Sequence, residues 1–164
     1  MIRFILGSAF LLVFTLSFVA CSDDPTSSTQ NGSMTAKVDG EGWGASTLSA
    51  NNAGGALVIV GSQIDASGGE TKQISITVLN ASVEEFELGG VNSATGTVIT
   101  YAEGASAASL KTYSSISGTI KIDELTSTGA KGSFTTTVEH NQAGQNDGTK
   151  HEITEGSFDV TFGS

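Results

Sequence analysis

The sequence predicts an all-β domain, an antiparallel β-sandwich of about eight or nine short strands, with a flattened β-barrel as the alternative. Apolar residues recur with a period of two, and no long stretch has the 3.6-residue period of a helix. Val, Ile, Thr, Ser and Gly dominate, and Gly, Asn, Asp and Ser separate the apolar segments. Alternation is the same in sandwiches and barrels, so the pattern leaves both architectures open.

The predicted strands follow one another along the chain. Met34, Ala36 and Val38 alternate with polar residues, and Asp39-Gly40 predicts a tight turn before Trp43. Further strands are predicted from Leu57–Val60; Ile74, Ile76 and Val78; Val98–Tyr101; Ile116, Gly118, Ile120 and Ile122, expected to share one face; Phe134, Thr136 and Val138; and Phe158, Val160 and Phe162.

One hairpin is predicted in detail. The segments VEH and HEI are mirror images on either side of the loop at 141–150. Pairing Val138 with Ile153 brings His140 opposite His151. Since two opposed imidazolium ions repel, this end of the hairpin is expected to loosen at mildly acidic pH.

The last strand needs an irregularity to keep its apolar side chains inside. Phe158 has the opposite parity to Ile153, so both face the interior only if one residue is bulged. We predict the bulge at Glu155-Gly156, because glycine is the residue that such a bulge prefers.

The first twenty residues, 1–20, are predicted to be a lipoprotein signal peptide. Arg3 precedes an apolar run that is shorter than the roughly 20 residues of a membrane-spanning helix. The run ends at Phe18-Val19-Ala20-Cys21, which resembles a bacterial lipobox, so Cys21 is predicted to be lipidated. Acylation also removes the oxidation risk of a lone thiol in an exported chain. The alternatives are ordinary cleavage near Ala20 with an unmodified cysteine, and a retained membrane anchor.

Residues 21–33 are predicted to be a disordered tether that carries the lipidated cysteine, because they contain no large apolar residue. The run Cys21-Ser22-Asp23-Asp24 also resembles the acidic export signal of surface lipoproteins in Bacteroidota. The alternative is a solvated linker that contains two acids. The β-domain is predicted to span residues 34–164.

The charge and the cysteine content exclude several classes of protein. The chain has 164 residues, 17 of them acidic and 7 basic, and a net charge of −10. Such a chain lacks the basic face that nucleic-acid binding needs. A single cysteine excludes an internal disulfide and a Cys-based structural zinc site. The length fits one folded domain.

Two histidines and one tryptophan are the candidate site residues. His140 and His151 are the metal candidates, but Glu139 and Glu152 point to the other face of their strands, so no metal and no cofactor are expected. Trp43 is a candidate platform for stacking a ligand, but burial as a core cap is the favoured interpretation, because Trp is usually highly buried. The sequence contains no nucleophile elbow, so no catalytic residue is assigned.

Three segments resemble a family of small uncharacterised lipoproteins of Bacteroidota. They are residues 34–43 (MTAKVDGEGW), 116–120 (ISGTI) and 153–160 (ITEGSFDV). The resemblance implies a β-rich surface lipoprotein. It implies no activity, so no residue inherits a role from it.

The expected function is a non-enzymatic binding or accessory domain on an outer-membrane lipid anchor. Cell-surface display is expected, with the periplasmic face as the alternative. The expected partners are the membrane, through the anchor, and a glycan, a peptide or a surface protein, but no nucleic acid. The alternatives are a structural surface protein without a small ligand and, less favoured, a hydrolytic enzyme.

Overall fold

A computed structural model describes residues 32–64, 69–89, 96–106, 109–141 and 147–163. In these ranges the chain forms ten β-strands, and no helix there is long and apolar enough to cross a membrane. The strands are β1 (Gly32–Val38), β2 (Glu41–Gly44), β3 (Thr47–Ala53), β4 (Ala56–Ile64), β5 (Thr71–Leu79), β6 (Glu85–Glu87), β7 (Val98–Gly104), β8 (Lys111–Leu125), β9 (Gly129–His140) and β10 (Lys150–Thr161).

The strands form one antiparallel sheet that curls into a half-barrel. Its order is β2-β1-β10-β9-β8-β7-β5-β4-β3. β7 pairs with the first part of β8 and β6 with a later part, so these two strands share one edge of β8. The predicted all-β class is confirmed. Several strands are longer than predicted, since β8 has 15 residues and β9 and β10 have 12 each.

Apolar side chains at alternate positions of the strands fill the interior of the half-barrel, as the sequence pattern predicts. Every second residue of β1 and of β5 is buried there, in the pattern that a strand with one apolar face produces. β3 was not predicted as a strand. Among its residues only Ala50 is buried, so it carries no apolar alternation that could have revealed it.

The face predicted for β8 is wrong at one residue. Tyr113 and Ser115 are buried in its first part, and Ile120 and Ile122 in its later part, whereas Ile116 is only partly buried. The pairing with β9 shifts by one residue between Ser115 and Ser117, which reverses the parity that faces the interior.

The β9–β10 pairing lies two residues away from the predicted register. Val138 lies opposite His151 rather than Ile153. The predicted register sets two glutamates opposite each other, and like charges in that position destabilise a strand pair. The observed register sets Glu139 opposite Lys150, with carboxylate and ammonium 3.4 Å apart. Because the difference is an even number of residues, Val138 and Ile153 still share the buried face.

The predicted bulge at Glu155-Gly156 is confirmed, because the β9–β10 register shifts between Ile153 and Gly156. The glycine is needed for a different reason from the expected one. Glu155 is the residue with a positive φ, 50°. A Cβ on Gly156 would lie 2.6 Å from the ring of Phe134, so only glycine allows this close approach.

Met34 and Trp43 hold the two ends of the curled sheet together. A Cβ on Gly61 of β4 would lie 2.9 Å from Met34 Sδ and 2.9 Å from Trp43 Cη2. Trp43 Nε1 also donates a hydrogen bond of 3.4 Å to the Lys72 carbonyl of β5. β2 ends the sheet on one side and β4 and β5 lie near its other side, so these contacts cross the interior.

β1 begins at Gly32 and includes the last two residues of the segment predicted as a tether. The predicted lipidation and export residues, Cys21, Ser22, Asp23 and Asp24, lie outside the described residues.

Candidate functional site

A group of polar and aromatic side chains occupies the end of the half-barrel at which β1 ends. The predicted turn at Asp39-Gly40 is confirmed, with φ angles of 51° and 83°, the signs that a two-residue type I′ turn requires. Lys72 near the start of β5, Glu103 near the end of β7 and His151 near the start of β10 lie at the same end. We call the following residues the mouth cluster: Asp39, Lys72, Tyr101, Glu103, Tyr113 and His151.

Asp39 orients His151. Its Oδ2 lies 2.6 Å from His151 Nδ1, and its Oδ1 accepts a 2.8 Å hydrogen bond from the backbone N–H of Glu152. The other ring nitrogen, His151 Nε2, lies 3.4 Å from Glu103 Oε1. That nitrogen is buried and has no hydrogen bond among the described residues, so the 3.4 Å contact is a close approach without hydrogen-bond alignment.

The Glu103 carboxylate accepts hydrogen bonds from the hydroxyl groups of both tyrosines. Tyr101 donates to Oε2 at 2.7 Å and Tyr113 donates to Oε1 at 3.2 Å. The His151 ring meets both phenol rings nearly edge-on, with centroids 5.2 Å from Tyr101 and 4.5 Å from Tyr113. These contacts hold the imidazole between two carboxylates and two aromatic rings.

The environment shifts the pKa values of this cluster in opposite directions. Burial raises the pKa of Tyr101 far above its usual value, and the hydrogen bond and charge of Glu103 raise it further. Burial, followed by the charge of Glu103, raises the pKa of Tyr113 to about 12. Burial alone would raise the pKa of Asp39, but the hydrogen bonds from Glu152 and His151 and the His151 charge outweigh it and lower that pKa. Both tyrosines therefore remain neutral donors, and Asp39 remains ionised.

The second histidine lies beside the cluster. His140 is 4% exposed, and its Nδ1 lies 3.1 Å from Asp147 Oδ1. Neither of its ring nitrogens has a hydrogen-bond partner in the described part of the chain. Tyr113 contacts both imidazoles, with centroids 5.4 Å from His140 and 4.5 Å from His151. His140 bonds the Thr149 carbonyl through its backbone N–H, so the two histidines share a face but are not opposed. The predicted loosening of the hairpin at acidic pH depended on opposed histidines, so the observed register removes the reason for it.

The structure does not assemble a metal site from the residues that it describes. Within those ranges no three His, Cys, Asp or Glu side chains are placed to hold a metal ion. The metal candidates His140 and His151 instead serve in the packing around Tyr113.

A cavity of about 300 Å³ opens in front of His151, a volume at the lower end of the range for ligand pockets. Asp39 and Glu103 already bind protein donors in its wall. Glu41 and Lys72 have no side-chain ion pair among the described residues. The cavity is lined by Val38, Asp39, Glu41, Lys72, Tyr101, Glu103 and His151.

Residues 30–160 match the model of a family described as a domain of unknown function, DUF6252. The chain belongs to this family. The match includes all three segments on which the sequence resemblance rests, so membership of a family without an assigned function is confirmed. No curated protein and no solved structure matches the chain. The role of the site in this DUF6252 domain is therefore argued from its own geometry.

Trp43 does not present a face to a ligand in this DUF6252 domain. Its side chain is buried, at 3% exposure, and its Nε1–H is directed to the Lys72 carbonyl. The geometry is that of the core cap, which is the interpretation that the sequence favours for this residue.

His151 is a site candidate from the sequence, whereas Lys72 and Glu103, two other charged residues around the cavity, are not. A signal for them was present in the strand alternation. Glu103 follows buried Tyr101 by two residues, and Lys72 precedes buried Ile74 by two, so both charged side chains are in phase with an apolar face. Charged residues at the ends of buried stripes therefore indicate the mouth of the half-barrel.

Proposed function

We propose that the chain is an outer-membrane lipoprotein of Bacteroidota, anchored through Cys21, whose β-domain is a non-enzymatic binding module displayed at the cell surface. The observation that carries the binding role is the cavity at the mouth cluster, with oriented polar groups in its wall. The lipobox-like run before Cys21 and the acidic residues after it support the anchoring.

The direction of β1 supports display of the cavity away from the membrane. Gly32 begins β1 and Asp39 follows its end, and seven extended residues span roughly 20 Å. Gly32 pairs with Val160 and Val38 with Ile153, so the two ends of β1 lie at opposite ends of β10 as well. A chain anchored at Cys21 therefore reaches the domain at the end opposite to the cavity.

Binding is favoured over hydrolysis by the position of His151. An Asp–His pair is also an element of hydrolytic sites, in which the free ring nitrogen takes a proton from a nucleophile. Here that nitrogen is buried and faces the Glu103 carboxylate. Among the described residues, the lining of the cavity also includes no Ser, Thr or Cys. The pair therefore holds the wall of the cavity in place.

Anchoring and display are tested in cells that express the full chain. We expect a palmitate analogue to label the wild type but not the Cys21→Ser variant. Protease added to intact cells should remove the wild-type band while a periplasmic control survives. A band that persists, although the purified protein is cleavable, contradicts surface display.

Binding is tested by thermal unfolding of the full-length protein in detergent micelles, against surface glycans, peptides and amino-acid-sized compounds. A ligand that binds only the folded state raises the unfolding temperature, by an amount that grows with the logarithm of its concentration once this exceeds Kd. We expect at least one such rise, and its loss in Glu41→Phe, which fills the cavity. Glu124→Phe is the matched control, because Glu124 is exposed near the far end of β8. No rise with any compound supports the structural alternative.

A further inference from the structure

We propose that the cavity takes a small zwitterion, a molecule that carries an ammonium and a carboxylate group. This inference rests on the proposed binding function and specifies its ligand class. It follows from which charged groups of the cavity wall are held by a hydrogen bond or an ion pair within the described residues and which are not.

Two of the three carboxylates are occupied by donors of the protein itself. The oxygens of Asp39 lie 2.6 Å from His151 Nδ1 and 2.8 Å from the backbone nitrogen of Glu152. The two Glu103 oxygens each accept a tyrosine hydroxyl. These carboxylates therefore build the wall, and a ligand gains little from them beyond their charge.

Glu41 of β2 and Lys72 of β5 line the cavity without an ion pair among the described residues, although the Lys72 charge acts on Asp39 at longer range. Glu41 is opposite Val38 in the β1–β2 hairpin, and Trp43 lies two residues further on the same face. The Trp43 indole reaches the Lys72 carbonyl across the interior, so Glu41 and Lys72 both face the same space. They are not within 4.0 Å of each other as an ion pair.

The charges of the lining favour a zwitterion over ligands that carry a single charge. A plain carboxylate would be repelled by the acidic excess of the lining, where Asp39, Glu41 and Glu103 outnumber Lys72. A plain amine would be attracted by that excess but repelled by the Lys72 ammonium. A zwitterion places its ammonium at Glu41 and its carboxylate at Lys72, so each charge of the ligand meets a charge of the opposite sign.

The test uses thermal unfolding of the full-length protein with a length series of zwitterions: glycine, 4-aminobutyrate and 6-aminohexanoate. Butylamine and butyrate, with hexylamine and hexanoate, are the matched single-charge probes. We expect one member of the series to stabilise the wild type more than its single-charge counterparts. Glu41→Gln and Lys72→Gln should each weaken its apparent affinity at least about tenfold, which corresponds to about 1.4 kcal/mol. Glu124→Gln should leave it unchanged.

Three results would overturn the inference. If an amine alone stabilises as well and binds more tightly to Lys72→Gln, the cavity is a simple cation site. If glycans or peptides stabilise the protein while no member of the series does, the ligand class is wrong and the binding function stands. If no probe in either screen stabilises it, the inference and the proposed binding function fail together.

Discussion

Asp39 links the backbone of the site to its side chains. Its positive φ of 51° builds the turn, and its carboxylate connects His151 to the backbone of β10. Asparagine also tolerates this backbone region, so Asp39→Asn changes the charge while the turn is kept.

Asp39→Asn should lower the free energy of unfolding at pH 7 by about 1 kcal/mol, a modest value because the side chain is 52% exposed. The pKa of Asp39 is lowered in the folded state, so its stabilisation is present above the usual value of 3.8 and is lost as pH falls through the lowered value. The difference in the free energy of unfolding between wild type and Asp39→Asn should therefore shrink below about pH 4. Urea unfolding at several pH values measures it, and a difference that does not depend on pH would contradict the pairing.

The two tyrosines of the chain should titrate far from their ordinary value. Because the pKa is raised, the folded state keeps the tyrosine hydroxyl proton at pH values at which the unfolded state has already lost it. The contribution of Tyr113 to stability is then complete below pH 10 and is lost as pH rises to about 12. Near-ultraviolet absorbance of tyrosinate should stay low at pH 11 in the folded protein and appear near pH 10 in denaturant. Glu103→Gln should bring the folded-state midpoints down, and ordinary titration of the folded wild type would sink the assignment.

At the scale of the element, the β9–β10 hairpin shows what local pattern can decide. Alternation placed Val138 and Ile153 on the buried face, and that is where they lie. The mirror symmetry of the flanking segments pointed to a pairing that differs by two residues from the observed one. An even shift keeps the buried faces, so apolar pattern alone cannot choose the register, and here the observed pairing is the one that separates like charges.

The register is testable by crosslinking in a Cys21→Ser background. Glu139 lies directly opposite Lys150, next to the hydrogen-bonded pair of His140 and Thr149. Glu139 and Lys150 are therefore a non-hydrogen-bonded pair, in which the opposite Cα atoms are about 4.5 Å apart. Cysteines at these two positions should form a disulfide on mild oxidation. Cysteines at Glu139 and Glu152 should not, because diagonal Cα atoms lie about 7–8 Å apart. The opposite result would restore the predicted register.

At the scale of the whole molecule, the curl of the sheet brings β2 into contact with β4 and β5. Extra residues shift the register in β8 and in β10, and such bulges increase the local bend and twist of a sheet. The curl puts Trp43 over Gly61 and opens the cavity at the Asp39 end. The contact between Trp43 and Gly61 does not join neighbouring strands, and the cavity is lined by strands that are distant in the sheet order. Both features therefore depend on the shape of the entire sheet.

Gly61→Ala should therefore destabilise the whole fold by about 1–3 kcal/mol, because its Cβ would press on Met34 and Trp43. Gly42→Ala is the matched control, in strand β2 next to Trp43. No atom lies within 4 Å of its added Cβ, so the expected change is below about 0.5 kcal/mol. Urea unfolding compares the two variants. Equal effects would show that Gly61 is not a point of close contact.

The sequence by itself determined the all-β class, the turn at Asp39-Gly40, the bulge at Glu155-Gly156 and most of the buried faces, because these depend on residues near one another in the chain. Tertiary structure decided the strand order, the hairpin register and the mouth cluster. Its members come from the turn after β1 and from β5, β7, β8 and β10, which meet only when the sheet curls. Alternation specifies which face of a strand is buried, but it contains no information about which distant strand that face will meet.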